Sequence, residues 1–419
     1  MAKKNAFKII GVLTALMLAF QNCGGGEFPV TQAFNSFANP SSSSNNLSPN
    51  NSSNLPDNVP NKVTDCFSNP NYNSCLFWKN PVAMNGMALA TYISANSNLS
   101  PLQIHAVNIE RADYDNSGFL KNSSINVTAQ TKTSVLQRVS TAGGQFKFRY
   151  GNDTNHRFSQ VMAFYWINLQ IKYMVRQVGN FFARDRAIEV VSWYPDLDNA
   201  FWDPVNRYVV ISEDSTTGAE FSLGAEIYLH EMGHANIGYA TNFAIYNNSN
   251  TDNTKVCSPN TPTATCCQDN KGCMGAIDEG QADYHAAILF PSNTALGESL
   301  VNKFDGFDEC GVTRKIDSNA NLTATQAYNA CGGTLEGEVH LMGRVYASVW
   351  WEVRKKAALR SASGIKDIDK LFNEHLLTAS VSDSFVDALT KIQTLDSQLF
   401  AGKYSSDFQN EFARRGITQ

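Results

Sequence analysis

The sequence predicts an α+β protein of two lobes, the first rich in β-strands and the second mainly helical. Apolar and polar residues alternate over residues 104–109 and 145–150, which is the period of a strand with one buried face. From residue 230 onward the apolar residues recur at helical spacing instead. A helix near residue 230 is predicted to lie between the lobes, where clefts commonly form. The longer helices are predicted over residues 339–355, 365–377 and 382–395.

The N-terminal residues have the pattern of an export signal. Three lysines precede an apolar stretch over residues 9–20, and Cys23 follows two polar residues later. The stretch is too short to span a bilayer comfortably. Residues 1–22 are therefore predicted to be a lipoprotein signal peptide with Cys23 as the acylated residue, and simple secretion is the alternative. The expected location is the outer membrane or cell surface, on the periplasmic or extracellular face.

Residues 23–63 are predicted to form a disordered tether. They consist mainly of Ser, Asn, Pro and Gly, and so few large apolar side chains cannot offset the entropy lost on folding. About forty such residues have a root-mean-square reach of roughly 35 Å. The folded part is then divided into a β-rich lobe with the central helix, residues 64–240, and a helical lobe, residues 241–419, with a cysteine-rich insertion over residues 251–274.

The cysteines indicate disulfide bonds in an oxidising compartment. The chain has nine cysteines, and eight remain if Cys23 is acylated. The alternative, a zinc knuckle over residues 257–273, is disfavoured because paired C-x-x-C units are absent there. Close neighbours in sequence suggest Cys66 with Cys75, two bridges among Cys257, Cys266, Cys267 and Cys273, and Cys310 with Cys331.

A metal-binding pattern lies in the central helix. His230 and His234 are four residues apart, so both imidazoles project from one face of a helix and can bind one metal ion. Glu231, beside the first histidine, can accept the proton of a metal-bound water. The pattern over residues 230–234 also arises by chance in ordinary amphipathic helices. Whether it binds a metal therefore depends on finding a third ligand.

The third ligand is predicted downstream. Ile237 and Ala240 occupy the positions where a nearby glycine and histidine would complete a three-histidine site. Glu279 and Asp283 are one helical turn apart, with small residues between them. Glu279 is therefore predicted to be the third zinc ligand, and Asp283 to accept the outer N–H of a ligating histidine. The alternative is a solvated acidic helix face.

With these residues in this order, the chain resembles thermolysin-like zinc metallopeptidases, the gluzincins, and among them most closely the fungalysins. The resemblance covers residues 105–419 and depends on the order of several short motifs. The segment between His234 and Glu279 is longer than is usual in the family, and no long inhibitory propeptide fits upstream. The similar stretches are residues 163–168, 199–203, 338–350 and 411–417.

The resemblance implies a two-lobed thermolysin-like zincin, with the active-site helix between the lobes, that hydrolyses peptide bonds outside the cytoplasm. Glu231 is then the general base, and His340 steadies the tetrahedral intermediate. Glu338 is expected to orient His340, and Asn199 and Ala200 to align the substrate backbone on an edge strand. The expected cofactor is Zn²⁺.

Residues 113–118 begin like a calcium-binding loop, but the twelfth position holds Ser124 where a bidentate glutamate is expected. We therefore expect a turn. The resembling family often carries structural Ca²⁺, but no motif in this chain places a calcium site.

The charge composition does not indicate a nucleic-acid partner. The formal net charge is −5, and no basic stripe or aromatic-basic alternation suggests a nucleic-acid partner. The expected partners are protein or peptide substrates, and a membrane through the N-terminal lipid. Two alternatives stay open: a surface-tethered binding protein or adhesin that retains a zincin fold, and a protease that processes a single target.

Overall fold

The computed structural model describes residues 66–77, 104–150, 153–178, 186–197, 199–213, 220–247, 274–289, 308–309, 312–313, 316, 322–330 and 338–418. The predicted signal peptide, the tether, the acylation site at Cys23 and the cysteines at 257, 266, 267, 273, 310 and 331 lie outside these residues. No helix in the described ranges is long and apolar enough to cross a membrane.

A four-stranded sheet forms the centre of the N-terminal part. Its strands are β3 (Ile125–Thr128), β4 (Ile188–Tyr194), β5 (Ala200–Asp203) and β6 (Tyr208–Ser212), in the order β3-β4-β6-β5. The first three strands in this order run parallel, and β5 is an antiparallel edge strand. Val209, Val210 and Ile211 of β6 form an apolar run without alternation, because side chains on both faces of this strand are buried.

A two-stranded sheet lies nearby, formed by β1 (Ser74–Phe77) and β2 (Ile104–Val107). The strand predicted over residues 104–109 is thus confirmed. The predicted disulfide is also present and joins Cys66 to Cys75, with Cα atoms 5.8 Å apart.

The strand predicted over residues 145–150 is wrong. Only Phe146 pairs with β1, through a single bridge to Ser74. The N–H of Phe148 then donates to the carbonyl of Phe146 instead of to a neighbouring strand, so the ladder ends there. The alternating aromatic residues lie in a loop and pack against the core. Their two-residue spacing is the same as that of a strand with one buried face.

Two buried helices cover the sheet. Helix α1 (Arg157–Tyr173) packs against β3 and β4, and helix α2 (Ala225–Ala240) packs against β5 and β6. Residues 225–238 of α2 are all buried, so its polar and charged side chains lie inside the protein together with its apolar ones. The central helix predicted near residue 230 is therefore present, beside the edge strand.

The C-terminal part is helical. Its helices are α3 (Ala244–Asn247), α4 (Met274–Ala287), α5 (Ala324–Ala330), α6 (Glu338–Arg360), α7 (Gly364–Leu376), α8 (Phe385–Phe400) and α9 (Ser405–Arg414). Helices α4, α6 and α7 form the core, since α4 packs against both α2 and α6, and α7 packs against α6. A short β-hairpin, β7 (Asp308–Glu309) and β8 (Val312–Thr313), precedes α5.

The three long predicted helices are confirmed as α6, α7 and α8, and so is the division into a sheet-rich N-terminal part and a helical C-terminal part. Helix α8 begins at Phe385, three residues later than predicted. The reason is a capping box, in which the Ser384 hydroxyl accepts a hydrogen bond from the Asp387 N–H at 3.1 Å.

The predicted turn near residue 115 is also present. A short 3₁₀ helix ends at Asp113, whose carboxylate pairs with Lys172 of α1. The carboxylate of Asp115 accepts a hydrogen bond from the Ser117 N–H at 2.8 Å, which is typical of a polar turn.

His375 of α7 is buried in a neutral form. Its Nε2 accepts a hydrogen bond from the Tyr346 hydroxyl at 2.8 Å, and Nδ1 lies 3.2 Å from Thr378 Oγ1. Burial, reinforced by the charge of Lys391, lowers the pKa of His375 to about 3.

This depressed pKa predicts an acid-sensitive fold. Below the unfolded pKa of about 6.5 the unfolded chain binds a proton at His375 and the folded chain does not, so the folded state loses about 1.4 kcal/mol per pH unit. This loss ends near the folded pKa of about 3. We expect the difference in unfolding free energy between the wild type and His375→Gln to change with that slope in urea titrations from pH 6.5 to 4.5. A difference independent of pH would contradict the prediction.

Candidate metal centre

Helices α2 and α4 bring the predicted metal ligands together. The helices touch closely at Gly233, where a Cβ atom would lie 2.6 Å from Ala282 Cα. Only glycine permits this approach, which brings α2 close enough for its candidate ligands to reach those of α4. His230, His234 and Glu279 are all buried and offer ligand atoms within 4.8 Å of one another.

The distances describe one convergent site. The Nε2 atoms of His230 and His234 are 3.1 Å apart. The carboxylate of Glu279 places Oε2 3.3 Å from His230 Nε2 and Oε1 3.7 Å from His234 Nε2. Two nitrogen donors and a carboxylate therefore face a common point.

A carboxylate lies beside the outer nitrogen of each histidine. Asp283 Oδ1 lies 3.0 Å from His230 Nδ1, the kind of contact that the sequence predicted for it. Asp278 Oδ1 lies 3.1 Å from His234 Nδ1 and was not predicted. Asp278 directly precedes Glu279, and adjacent residues on a helix point in different directions, so spacing gave no reason to place both at one site.

Tyr246 is a second residue that sequence reasoning missed. The chain leaves α2 through Asn242 and Phe243, which both have positive φ angles, and this turn brings α3 back against α2. The Tyr246 hydroxyl then lies 3.2 Å from an Asp278 carboxylate oxygen and 3.0 Å from the His234 carbonyl. No sequence spacing foretells a contact that depends on a left-handed turn.

The electrostatics favour a bound cation. Burial lowers the pKa of His234, but the negative charges of Asp278 and Glu279 more than offset burial and raise it to about 10. If both Nδ1 atoms carry their protons toward carboxylates, the two Nε2 lone pairs and the Glu279 carboxylate all point at one place. This arrangement is unfavourable without a positive charge, and two imidazoles with one carboxylate match the ligands of an open zinc site. The residues present therefore fit Zn²⁺.

The other predicted residues are placed as follows. Glu231 is buried on α2, and its charge contributes to the raised pKa of His234. His340 on α6 lies with Nε2 3.5 Å from Glu279 Oε1. Glu338 is at the start of α6, but its side chain lies outside the described residues.

The predicted substrate-aligning residues are at the start of the edge strand. Ala200 is the first residue of β5, and the Asn199 carbonyl accepts a hydrogen bond from the Ser212 N–H at 3.2 Å. Since β5 packs against α2, the strand lies beside the helix that carries His230 and His234.

Gly343 of α6 lies in close contact with α4 at Glu279. A Cβ atom at Gly343 would lie 2.7 Å from Glu279 Cβ and 2.9 Å from both the Ala276 carbonyl oxygen and the Gly280 nitrogen. Helix α6 therefore lies directly against the backbone that carries the acidic ligand.

This contact predicts the effect of Gly343→Ala. The added methyl group must displace Glu279 or separate α4 from α6, so we expect a lower zinc affinity and a loss of about 1–3 kcal/mol in unfolding free energy. Zinc titration against a chromophoric chelator and urea unfolding measure the two effects.

Gly364→Ala is the matched control, because its methyl group would meet the Ala357 backbone on α6, away from the ligands. The control should lower stability and keep zinc affinity. Equal zinc affinities in wild type and Gly343→Ala would contradict the prediction.

Comparison with known proteins gives little further information. No family model matches the chain, and no curated protein matches it. A solved structure described as the precursor of protealysin, a metalloproteinase from Serratia proteamaculans, is similar with a TM-score of 0.44 and 10% sequence identity, over 71% of this chain and 89% of that one. A TM-score of this size does not establish a family, so the function proposed below depends on the geometry of the site.

Proposed function

We propose that this chain is a zinc-dependent endopeptidase that acts on protein or peptide substrates. The main support is that the ligand atoms of His230, His234 and Glu279 lie close together, with a carboxylate beside the outer nitrogen of each histidine. Glu231, the residue next to His230, adds a buried carboxylate that can exchange protons. A site with a base beside its ligands is suited to hydrolysis.

The mechanism assigns a task to each group. Zinc, when bound, lowers the pKa of its water and polarises the scissile carbonyl. Asp283 and Asp278 keep the Nδ1 protons of His230 and His234 in place, so that both Nε2 atoms can serve as ligands. Glu231 accepts the proton of the attacking water and returns it to the leaving amine.

Two further groups handle the substrate. His340, beside Glu279, donates a hydrogen bond to the developing oxyanion, and Glu338 orients His340. The Ala200 carbonyl accepts a hydrogen bond from an extended peptide, with the Asn199 side chain beside it, because an edge strand can accept one more strand.

The proposal is tested by hydrolysis of unfolded casein with the chain from residue 60 onward. Cleavage that a chelator abolishes and added zinc restores supports it. No cleavage by the folded, zinc-loaded protein would overturn a general endopeptidase. The result would then favour a tethered binding protein with a structural zinc, or a protease with one target.

We also propose that the enzyme is an exported lipoprotein acylated at Cys23. The support is the sequence alone: the lysines, the apolar stretch and the cysteine that follows it. Metabolic labelling with a tagged fatty acid should mark the wild type and fail to mark Cys23→Ser. Equal labelling of both would refute the assignment.

A further inference from the structure

His285, on α4, is completely buried and takes no part in the mechanism above. Its imidazole nevertheless contacts two other helices. Nδ1 lies 3.1 Å from the Leu229 carbonyl oxygen of α2, and Nε2 lies within hydrogen-bonding distance of the Asn236 side-chain amide, also on α2. From α1, Gln170 Nε2 lies 2.9 Å from the His285 carbonyl oxygen and 2.6 Å from Nδ1.

A neutral imidazole with its proton on Nδ1 satisfies both contacts on α2, and the 2.6 Å approach of Gln170 Nε2 to Nδ1 is then not a hydrogen bond. The Nδ1–H group donates to the Leu229 carbonyl, and Nε2 accepts from the amide of Asn236. The Gln170 amide donates to the His285 carbonyl. The imidazole is then neutral, with both nitrogens bonded to α2 and its backbone bonded to α1.

The two residues of α2 that contact His285 lie on either side of the histidine ligands in the sequence. Leu229 directly precedes His230, and Asn236 follows His234 by two residues. His285 itself is six residues after Glu279 on the opposing helix. The imidazole thus connects the two helices on both sides of the segment that carries the nitrogen ligands.

The close contact at Gly233 does not supply this connection. It sets how near α2 approaches α4, but an apolar contact between Gly233 and Ala282 does little to resist sliding along the helix axes. Directed hydrogen bonds resist sliding because their energy falls steeply when donor and acceptor lose alignment.

We propose that His285 is a positioning residue that fixes the register of α4 against α2, so that Glu279 stands opposite His230 and His234. This inference depends on the proposed zinc site. Without His285 the helices remain packed, but the acidic ligand and the carboxylates of Asp278 and Asp283 lose their alignment with the histidines.

The experiment compares three substitutions of His285. Asparagine places an amide N–H near the position of Nδ1 and can keep the bond to Leu229. Glutamine places an amide oxygen near the position of Nε2 and can keep the bond to Asn236. Leucine keeps neither. For each variant, chelator competition gives the zinc dissociation constant, and urea unfolding in chelator gives the stability of the metal-free fold.

We expect His285→Leu to weaken zinc binding by about 10–100-fold, the range found when a group that orients a metal ligand is removed. His285→Asn and His285→Gln should each retain more affinity than His285→Leu, because each keeps one bond to α2. A folded His285→Leu protein that binds zinc as tightly as the wild type would overturn the proposal.

Gln170→Ala is the matched control. Gln170 belongs to the same buried network but connects α4 to α1, so its loss should lower stability and leave zinc affinity unchanged.

If His285→Leu does not fold, Asn236→Ala replaces it in the comparison. Asn236→Ala should then weaken zinc binding more than Gln170→Ala, and equal affinities would overturn the proposal. Failure of the wild type to bind zinc would refute the proposed function itself, and this outcome is separate.

Discussion

Replacing Glu231 with Gln is expected to lower kcat for peptide hydrolysis by about 10²–10⁴-fold, the usual contribution of a general base. The carboxamide has the shape of the carboxylate but cannot accept the proton of the attacking water. Zinc affinity should change little, because the proposed ligands are His230, His234 and Glu279 and the substitution leaves all three in place. Steady-state kinetics on casein and zinc analysis of the same preparation measure both quantities.

Glu226→Gln is the matched control for this experiment. Glu226 is a buried glutamate on the same helix, five residues earlier, so the control makes the same chemical change outside the site. Its kcat should stay near that of the wild type. Substantial activity in zinc-loaded Glu231→Gln would refute the general-base assignment, and equal losses in both variants would indicate a general effect on helix α2.

Replacing Asp369 with Ala is expected to lower the unfolding free energy by about 3–5 kcal/mol, the cost of leaving a buried charge without its partner. Asp369 of α7 accepts two hydrogen bonds from Arg354 of α6, at 2.9 and 3.0 Å. The hydroxyls of Tyr284, on α4, and Tyr173, on α1, also donate to this carboxylate. One buried side chain thus connects four helices, including the helix that carries Glu279.

Two variants make the result interpretable. Lys132→Ala removes an exposed ion pair with Asp196 and should leave stability nearly unchanged, because solvent screens such pairs. The double variant Arg354→Leu with Asp369→Leu removes both charges and should be more stable than Asp369→Ala alone. All urea titrations are done with chelator, so that zinc binding does not contribute. A loss below about 1 kcal/mol for Asp369→Ala, the value of an ordinary hydrogen bond, would contradict the prediction.

Local spacing predicted a large part of the candidate metal centre. His230 and His234 share a helix face because of their four-residue separation, and Glu279 and Asp283 share another for the same reason. The structure brings all four together. Local pairing of cysteines likewise predicted the bond between Cys66 and Cys75.

The same reasoning failed where one pattern fits two structures. The aromatic alternation over residues 145–150 is compatible with a strand and with a loop that packs every second side chain against the core. Backbone pairing decides between them, and in this chain the pairing stops after Phe146. Periodicity reports which side chains are buried, but the hydrogen bonds of the backbone depend on neighbours that are distant in sequence.

The sequence by itself predicted the long helices, the strand that begins at residue 104 and the candidate metal ligands, because these follow from residue spacing within single elements. Tertiary structure alone added Asp278, Tyr246 and His285 to the groups around the candidate ligands. Asp278 meets His234, Tyr246 meets Asp278, and His285 bonds to Leu229 only after three helices have packed. Each of these contacts joins residues from different elements. These contacts depend on how closely the helices pack at the glycines and on the left-handed turn after α2. A periodic sequence pattern does not predict this packing geometry.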